Sequence, residues 1–146
     1  MTPRRTRLWH VPHMARILWA EHPRAGHGAR LGDLAALARL ALGGKIMHVR
    51  GAGRRGRGLG GFLARDGARI HALYTHPAAR RQGIASRLIA EAQTAAHRLE
   101  LWTAQDNAAA RALYAAHGFY PVALSNGQGN DEGRPDMRMI WQRSAP

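Results

Sequence analysis

The spacing of hydrophobic and polar positions changes period several times along the chain, and those changes divide it into elements. Residues 68–75 alternate. Ile70, Ala72 and Tyr74 fall on one side of an extended strand, and His71, Leu73 and Thr75 on the other. Pro77 stops that strand, because proline has no N–H for a ladder. From Ile84 the spacing becomes helical, with Ile84, Leu88, Ala92, Ala95 and Leu99 on one stripe and Arg87, Glu91 and Arg98 off it. Asp66-Gly67 is a two-residue hairpin signal that joins residues 61–65 to residues 68–75 as antiparallel neighbours. Residues 99–103 form a short strand after the helix. It returns from a helical crossover and is expected to run parallel to residues 68–75. Residues 107–116 repeat as a second amphipathic helix, with Asp106 as its cap and Gly118 just past its last turn.

The flanks follow the same rules. Residues 6–10 suit a short first strand, and Pro12 stands where a first-turn helix proline belongs, ahead of an apolar face of Met14, Ile17 and Leu18. Asp33 can cap a helix over residues 34–42, which Gly43-Gly44 ends. Residues 45–50 alternate as a strand, and the glycine-rich basic stretch 51–61 reads as a long hairpin loop. Residues 119–124 form a strand whose Pro121 suggests an irregular or edge position. A polar loop over residues 125–135 leads to a last strand at residues 137–143. The predicted order is β-α-α-β-β-β-α-β-α-β-β.

A chain of 146 residues with 45% hydrophobic content is expected to form a single domain over residues 1–146. There are no cysteines, so thiolate catalysis and disulfides are excluded. No apolar run approaches the ~20 residues of a membrane span, and the basic start lacks the apolar segment of a signal peptide, so a cytoplasmic protein without a membrane partner is expected. The net charge of +13 is uneven: residues 1–65 hold 13 Lys+Arg against 2 Asp+Glu, and residues 66–146 hold 9 against 7. Such a basic half attracts nucleic acid or anionic cofactors. Gly51, Gly53 and Gly56 spell G-x-G-x-x-G, but no helical pattern follows them, so the dinucleotide fingerprint is rejected.

The chemistry lies in the joint between the alternating strand and the helix, Arg80-Arg81-Gln82-Gly83-Ile84-Ala85. A helix start carries unpaired N–H groups and the positive end of the dipole. Gly83 and Ala85 let an anion approach the backbone, and Arg80 and Arg81 add charge, which suits a pyrophosphate. The joint resembles the acyl-CoA signature of the GNAT N-acetyltransferase superfamily, with Arg80, Gly83 and Ala85 at its three fixed positions. A second segment, Asn107, Ala110, Leu113, Tyr114, Gly118 and Phe119, is similar to the family's later cofactor segment and stands in the right order after the first.

The resemblance implies an α/β (α+β) GNAT acyl-CoA N-acyltransferase fold, with a mixed central sheet of about seven strands flanked by about four helices. It implies an acetyl-CoA-dependent transfer to a primary amine by direct attack in a ternary complex, with no metal. The backbone of Leu73, Tyr74 and Thr75 would line the acyl and pantetheine arm. Arg80, Arg81, Gln82, Gly83, Ile84, Ala85 and Ser86 would surround the pyrophosphate, Asn107 would touch the cofactor, and Tyr114 would protonate the departing thiolate. A small-molecule amine or a protein amine is the expected acceptor, and the frequency of dimers in the family makes a homodimer an expectation.

The two positions where relatives place a glutamate base hold Arg69 and Trp102 here. His71 and ordered water are the candidates for that role, and a buried structural imidazole is the competing reading of His71. Asp131, Glu132 and Asp136 form the acidic cluster of the late loop, where they either recognise a cationic amine or are simply solvated. Trp9, Trp19, Trp102 and Trp141 read as core or pocket walls. The competing functions are a basic nucleic-acid-binding protein and a catalytically degenerate CoA-binding sensor.

Overall fold

The computed structural model describes residues 3–7, 12, 14, 38–39, 41, 43, 46–50, 59–75, 83–128 and 135–144. Seven strands form one sheet: β1 (Arg4–Arg5), β2 (Ile46–Arg50), β3 (Leu59–Asp66), β4 (Arg69–Thr75), β5 (Arg98–Ala104), β6 (Tyr120–Ser125) and β7 (Asp136–Gln142). Their spatial order is β1-β2-β3-β4-β5-β7-β6. Two complete helices are described, α1 (Ile84–Ala95) and α2 (Ala108–Ala116). Pro12 and Met14, and Ala38, Arg39 and Ala41, are helical residues in the two stretches expected to be helices.

The β3–β4 connection is a tight hairpin, but its turn is Gly67-Ala68, between the paired residues Asp66 and Arg69. Gly67 takes a left-handed φ of 59°, which glycine adopts without steric cost. The first strand lies two residues earlier than its pattern suggested, and the Thr6 N–H extends its pairing by donating to the Ile46 carbonyl at 2.9 Å. β3 begins at Leu59, so Leu59, Gly60 and Gly61 belong to a strand rather than to the hairpin loop. The rest of that loop, residues 51–58, lies outside the described residues. Pro121 sits in the edge strand β6, where the register with β7 shifts between Pro121 and Ala123, as a residue without an N–H requires.

One expected alternation fails. In β4 the register passes from Ile70 opposite Arg65 to Ala72 opposite Ala64, leaving His71 as an inserted residue. A bulge moves every later side chain to the other face. Ile70 and Leu73 therefore share a face, and Tyr74 falls on the other, against Phe62 at a ring separation of 5.4 Å. His71 is exposed, so it is not a buried structural imidazole.

The main core lies on the α1 and α2 side of the sheet. It joins Leu63 and Ile70 to Leu99, Leu101, Met137 and Met139, with Ile84, Leu88, Ile89 and Ala92 of α1 and Tyr114 of α2. Phe62, Ala64 and Ile46 are buried on the opposite face. Trp141 packs against the main core, but Trp102 is 44% exposed, because it lies on the β5 face turned away from both helices. Trp9 and Trp19 lie outside the described residues.

Candidate active site

β4 and β5 are parallel neighbours that pair at one position only, Arg69 opposite Glu100, where the Glu100 N–H donates to the Ala68 carbonyl at 2.7 Å. Beyond it, no further pairing joins Ile70–Thr75 to Leu101–Ala104 among the described residues. The sheet is therefore continuous at the start of these strands and open towards their C-terminal ends. Backbone donors and acceptors in such a gap need partners from elsewhere. Leu73, Tyr74 and Thr75, the expected contacts of the acyl and pantetheine arm, are half-buried residues along this opening.

The start of α1 is held at the same end. Gly61 stands opposite Thr75, and a Cβ there would lie 2.6 Å from the Tyr74 carbonyl oxygen and 2.9 Å from the Ile84 side chain. Glycine is thus what lets the first turn of α1 close on the sheet; in the sequence it was hidden inside a glycine-rich run. Ile84 is buried beneath, while Ala85 and Ser86 are half-buried. Gly83 is the cap residue in the left-handed region at φ 74°, exposed, with open space where a Cβ would stand. The helix start has no side-chain cap and no acidic residue in its first turn. Its leading N–H groups remain available to an anion, and no carboxylate repels one. These residues fit a phosphate group. Arg80, Arg81 and Gln82 lie outside the described residues.

α2 brings in Tyr114. Asn107, not Asp106, caps this helix: its Oδ1 accepts from the Ala110 N–H at 3.1 Å. The side-chain oxygen of Asn107 is thereby committed to the helix, and its amide nitrogen takes no part in that bond. At the far end Gly118 has φ 85°, with the Trp141 ring packed over it, and the Phe119 N–H donates to the Tyr114 carbonyl at 3.0 Å. This closure folds Phe119 back onto Tyr114, with ring centroids 5.7 Å apart. Burial, with a smaller contribution from the nearby Tyr74, pushes the Tyr114 phenol up to about 12. Tyr74 packs against Phe62 on one side of the sheet, and Tyr114 belongs to the core on the helix side.

The remaining carboxylates were not separable by sequence. Glu100 accepts from Arg138 Nε at 3.1 Å and from Arg138 Nη2, which holds its carboxyl below the usual range. Asp136 is not in a loop: it is the first residue of β7, paired with Ala104 and Ser125. Asp131 and Glu132 lie outside the described residues. Among the described residues no cluster of histidine, cysteine or carboxylate side chains could hold a metal ion, and no helix is long and apolar enough to cross a membrane.

Residues 5–119 match the profile of the acetyltransferase (GNAT) family. Among curated protein sequences none matches. Among solved structures, a GNAT-family acetyltransferase from Bacillus cereus superposes with a TM-score of 0.79 at 16% identity, covering 99% of this chain and 98% of that one. NAA60 of Arabidopsis thaliana, solved with a bisubstrate analogue, gives 0.77 at 16% identity over 99% and 98%. The ribosomal-protein-S18-alanine N-acetyltransferase of Escherichia coli gives 0.67 at 17% identity over 99% and 95%. With its profile matched over most of its length and its fold shared with these enzymes, the chain belongs to the GNAT family of acetyltransferases.

Proposed function

We propose that this protein transfers an acetyl group from acetyl-CoA to a primary amine by direct attack within a ternary complex. The observation that carries the reading is the single-position pairing of β4 with β5, which leaves backbone amides of both strands unpaired with each other towards their C-terminal ends. An extended pantetheine arm, itself bearing amides, fits there as an added strand does. Leu73, Tyr74 and Thr75 supply the backbone contacts, and Arg80, Arg81, Gln82, Gly83, Ile84, Ala85 and Ser86 surround the pyrophosphate. Asn107 contributes its amide nitrogen to the cofactor, since its oxygen caps α2.

Acetyl-CoA supplies an activated carbonyl and a thiolate leaving group. A backbone N–H of residues 73–75 stabilises the charge that grows on the carbonyl oxygen. Tyr114, with its phenol pushed up to about 12, keeps its proton at neutral pH and presents it to the departing sulfur. A thiol of ordinary pKa near 8.5 takes that proton only once its own thiolate is desolvated, and the burial that raises the phenol acts on the sulfur in the same way. The amine gives up its proton to His71, which the bulge leaves exposed, or to water. One structural neighbour is an S18-alanine N-acetyltransferase, which places protein amines beside small amines among the acceptors to try.

Thermal unfolding tests the proposal. Acetyl-CoA at a hundred times its Kd is expected to add about 2.7 kcal/mol of stability, and ATP at equal concentration much less. Equal shifts with ATP and RNA would point to a generic anion site instead.

A further inference from the structure

In β5 the alternation that sends Leu99 and Leu101 into the core puts Glu100, Trp102 and Ala104 on the face turned away from both helices. In β4 the bulge at His71 puts Ala72 and Tyr74 on that same face, with Tyr74 against Phe62. Pairing between the two strands stops at Arg69 and Glu100, so Trp102 and Tyr74 stand on the two walls of the opening. Beside them that face carries the small side chains of Ala72 and Ala104. Both rings are within reach of a ligand, since Trp102 is 44% exposed and Tyr74 is half-buried. Tyr114 belongs to the helix side, which leaves the face with the two rings for the approach of the acceptor.

We infer that Trp102 and Tyr74 receive the acceptor between them, and that the acceptor is an amine carrying a planar aromatic ring. This rests on the acetyl-transfer reading and names the substrate class of that site. A single exposed tryptophan is ordinary on a protein surface. Two aromatic side chains on facing walls of one opening, with alanines beside them, form a slot for a third ring. Aromatic rings prefer offset-stacked or edge-to-face neighbours, at centroid separations of about 4.5–7 Å. A saturated ring of the same size is thicker and offers no π face. Phe62 is fully buried and holds Tyr74 from the β3 side at 5.4 Å. The carboxylates near the opening are placed otherwise. Glu100 is taken by Arg138, with Arg98 4.0 Å away. Asp136 lies across β5 from the opening, beside Ala104, with its Oδ1 buried. The selective contact therefore falls on the body of the acceptor rather than on its charge.

The test compares 2-phenylethylamine with 2-cyclohexylethylamine as acceptors, by steady-state thiol release with saturating acetyl-CoA. Peptides that begin with phenylalanine and with cyclohexylalanine are run beside them, which tells a small amine from a chain end. Wild type is expected to favour the aromatic member of at least one pair by about three- to tenfold in kcat/KM, the usual worth of an aromatic contact. The preference is expected to fall by at least about twofold in Trp102→Leu and in Tyr74→Leu, and to be kept in Trp102→Phe. Each ratio is taken within one variant, so a loss of folded enzyme or of CoA binding cancels out of it. In Trp102→Leu the loss is expected in KM for the aromatic amine, with CoA affinity unchanged by thermal unfolding. No ring preference of wild type in either pair, or no turnover of any of the four amines while acetyl-CoA binds, would overturn the inference. A wild-type ratio retained in either leucine variant would overturn it too. Failure to bind acetyl-CoA would instead remove the transferase proposal on which it rests.

Discussion

The two edges of β5 behave differently. Towards β7 the strand is paired along its whole length, from Arg98 opposite Gln142 to Ala104 opposite Asp136. Towards β4 it is paired at Glu100 alone. Both edges belong to the same seven residues, so strand propensity does not explain the difference. What differs is how each partner is held. β7 is an antiparallel neighbour whose Met137 and Met139 share the core with Leu99 and Leu101. β4 is tied to β3 on its far side and is reached from β5 only through the α1 crossover. The core bridges the gap from beneath, since Leu63 and Ile70 on one side and Leu99 and Leu101 on the other pack on the same helices. The sheet therefore stays one body while its middle is open. A parting in the middle of a sheet, unlike a free edge, is walled on both sides and floored by helices, so it offers a cleft rather than an edge for aggregation.

If the open edge is the working one, changes around it should affect catalysis and changes at the closed edge should not. The largest effect is expected from Tyr114→Phe, which should lower kcat by about 10²–10⁴-fold, the usual worth of a positioned general acid, with little change in CoA affinity. Steady-state kinetics by thiol release measures this, and equal activity would remove Tyr114 from the mechanism. The same phenol should shape alkaline stability. Its value in the fold is about 12 against an ordinary 10.0, so the fold favours the neutral form. That contribution is complete below the ordinary value and is lost as pH rises through the folded one. At about 1.4 kcal/mol per pKa unit it is worth about 2–3 kcal/mol. Urea unfolding of wild type should show a decline between pH 10 and 12 that Tyr114→Phe lacks.

Gly61→Val should cost about 1–3 kcal/mol, because the new atoms meet the Tyr74 carbonyl and Ile84, and it should weaken CoA binding by shifting the start of α1. Arg138→Met is expected to do least. The Glu100 carboxyl is held below its ordinary 4.5 by Arg138, so the pair stabilises above that pH and its contribution is lost as pH falls through the lowered value. Both side chains are partly exposed, so the loss should stay under about 1 kcal/mol and activity should be unchanged.

Much of this layout was legible in the residues. The hairpin before β4, the parallel return of β5 and the edge position of β6 followed from Gly67, the α1 crossover and Pro121, because each depends on local backbone rules. What was not legible depends on long-range pairing. The insertion of β7 between β5 and β6 leaves no mark within either segment. The bulge at His71 is invisible because His71 itself suits a strand, and it parts Ile70 and Tyr74, which the alternation had put on one face, onto opposite faces. Asp106 and Asn107 are chemically alike as caps, and only the fold decides between them. Asp136 read as one acid among three in a polar stretch, and its buried oxygen emerges only when β7 is placed. Of the candidate site, Gly83 and Tyr114 were singled out by motif and the end of β4 by the family resemblance, whereas the opening between the strands was not foreseen.

Amide hydrogen exchange with and without CoA tests the opening most directly. The Glu100 N–H bonds towards β4, so by strand alternation the Trp102 N–H faces the opening while those of Leu101 and Thr103 face β7. Without ligand, Trp102 is expected to exchange faster than Leu101 and Thr103. Saturating CoA is expected to slow exchange in Ile70–Thr75 and at the start of α1, and to leave Leu101 and Thr103 unchanged. CoA binding that left Ile70–Thr75 as unprotected as before would show that the parted strands are not where the cofactor lies.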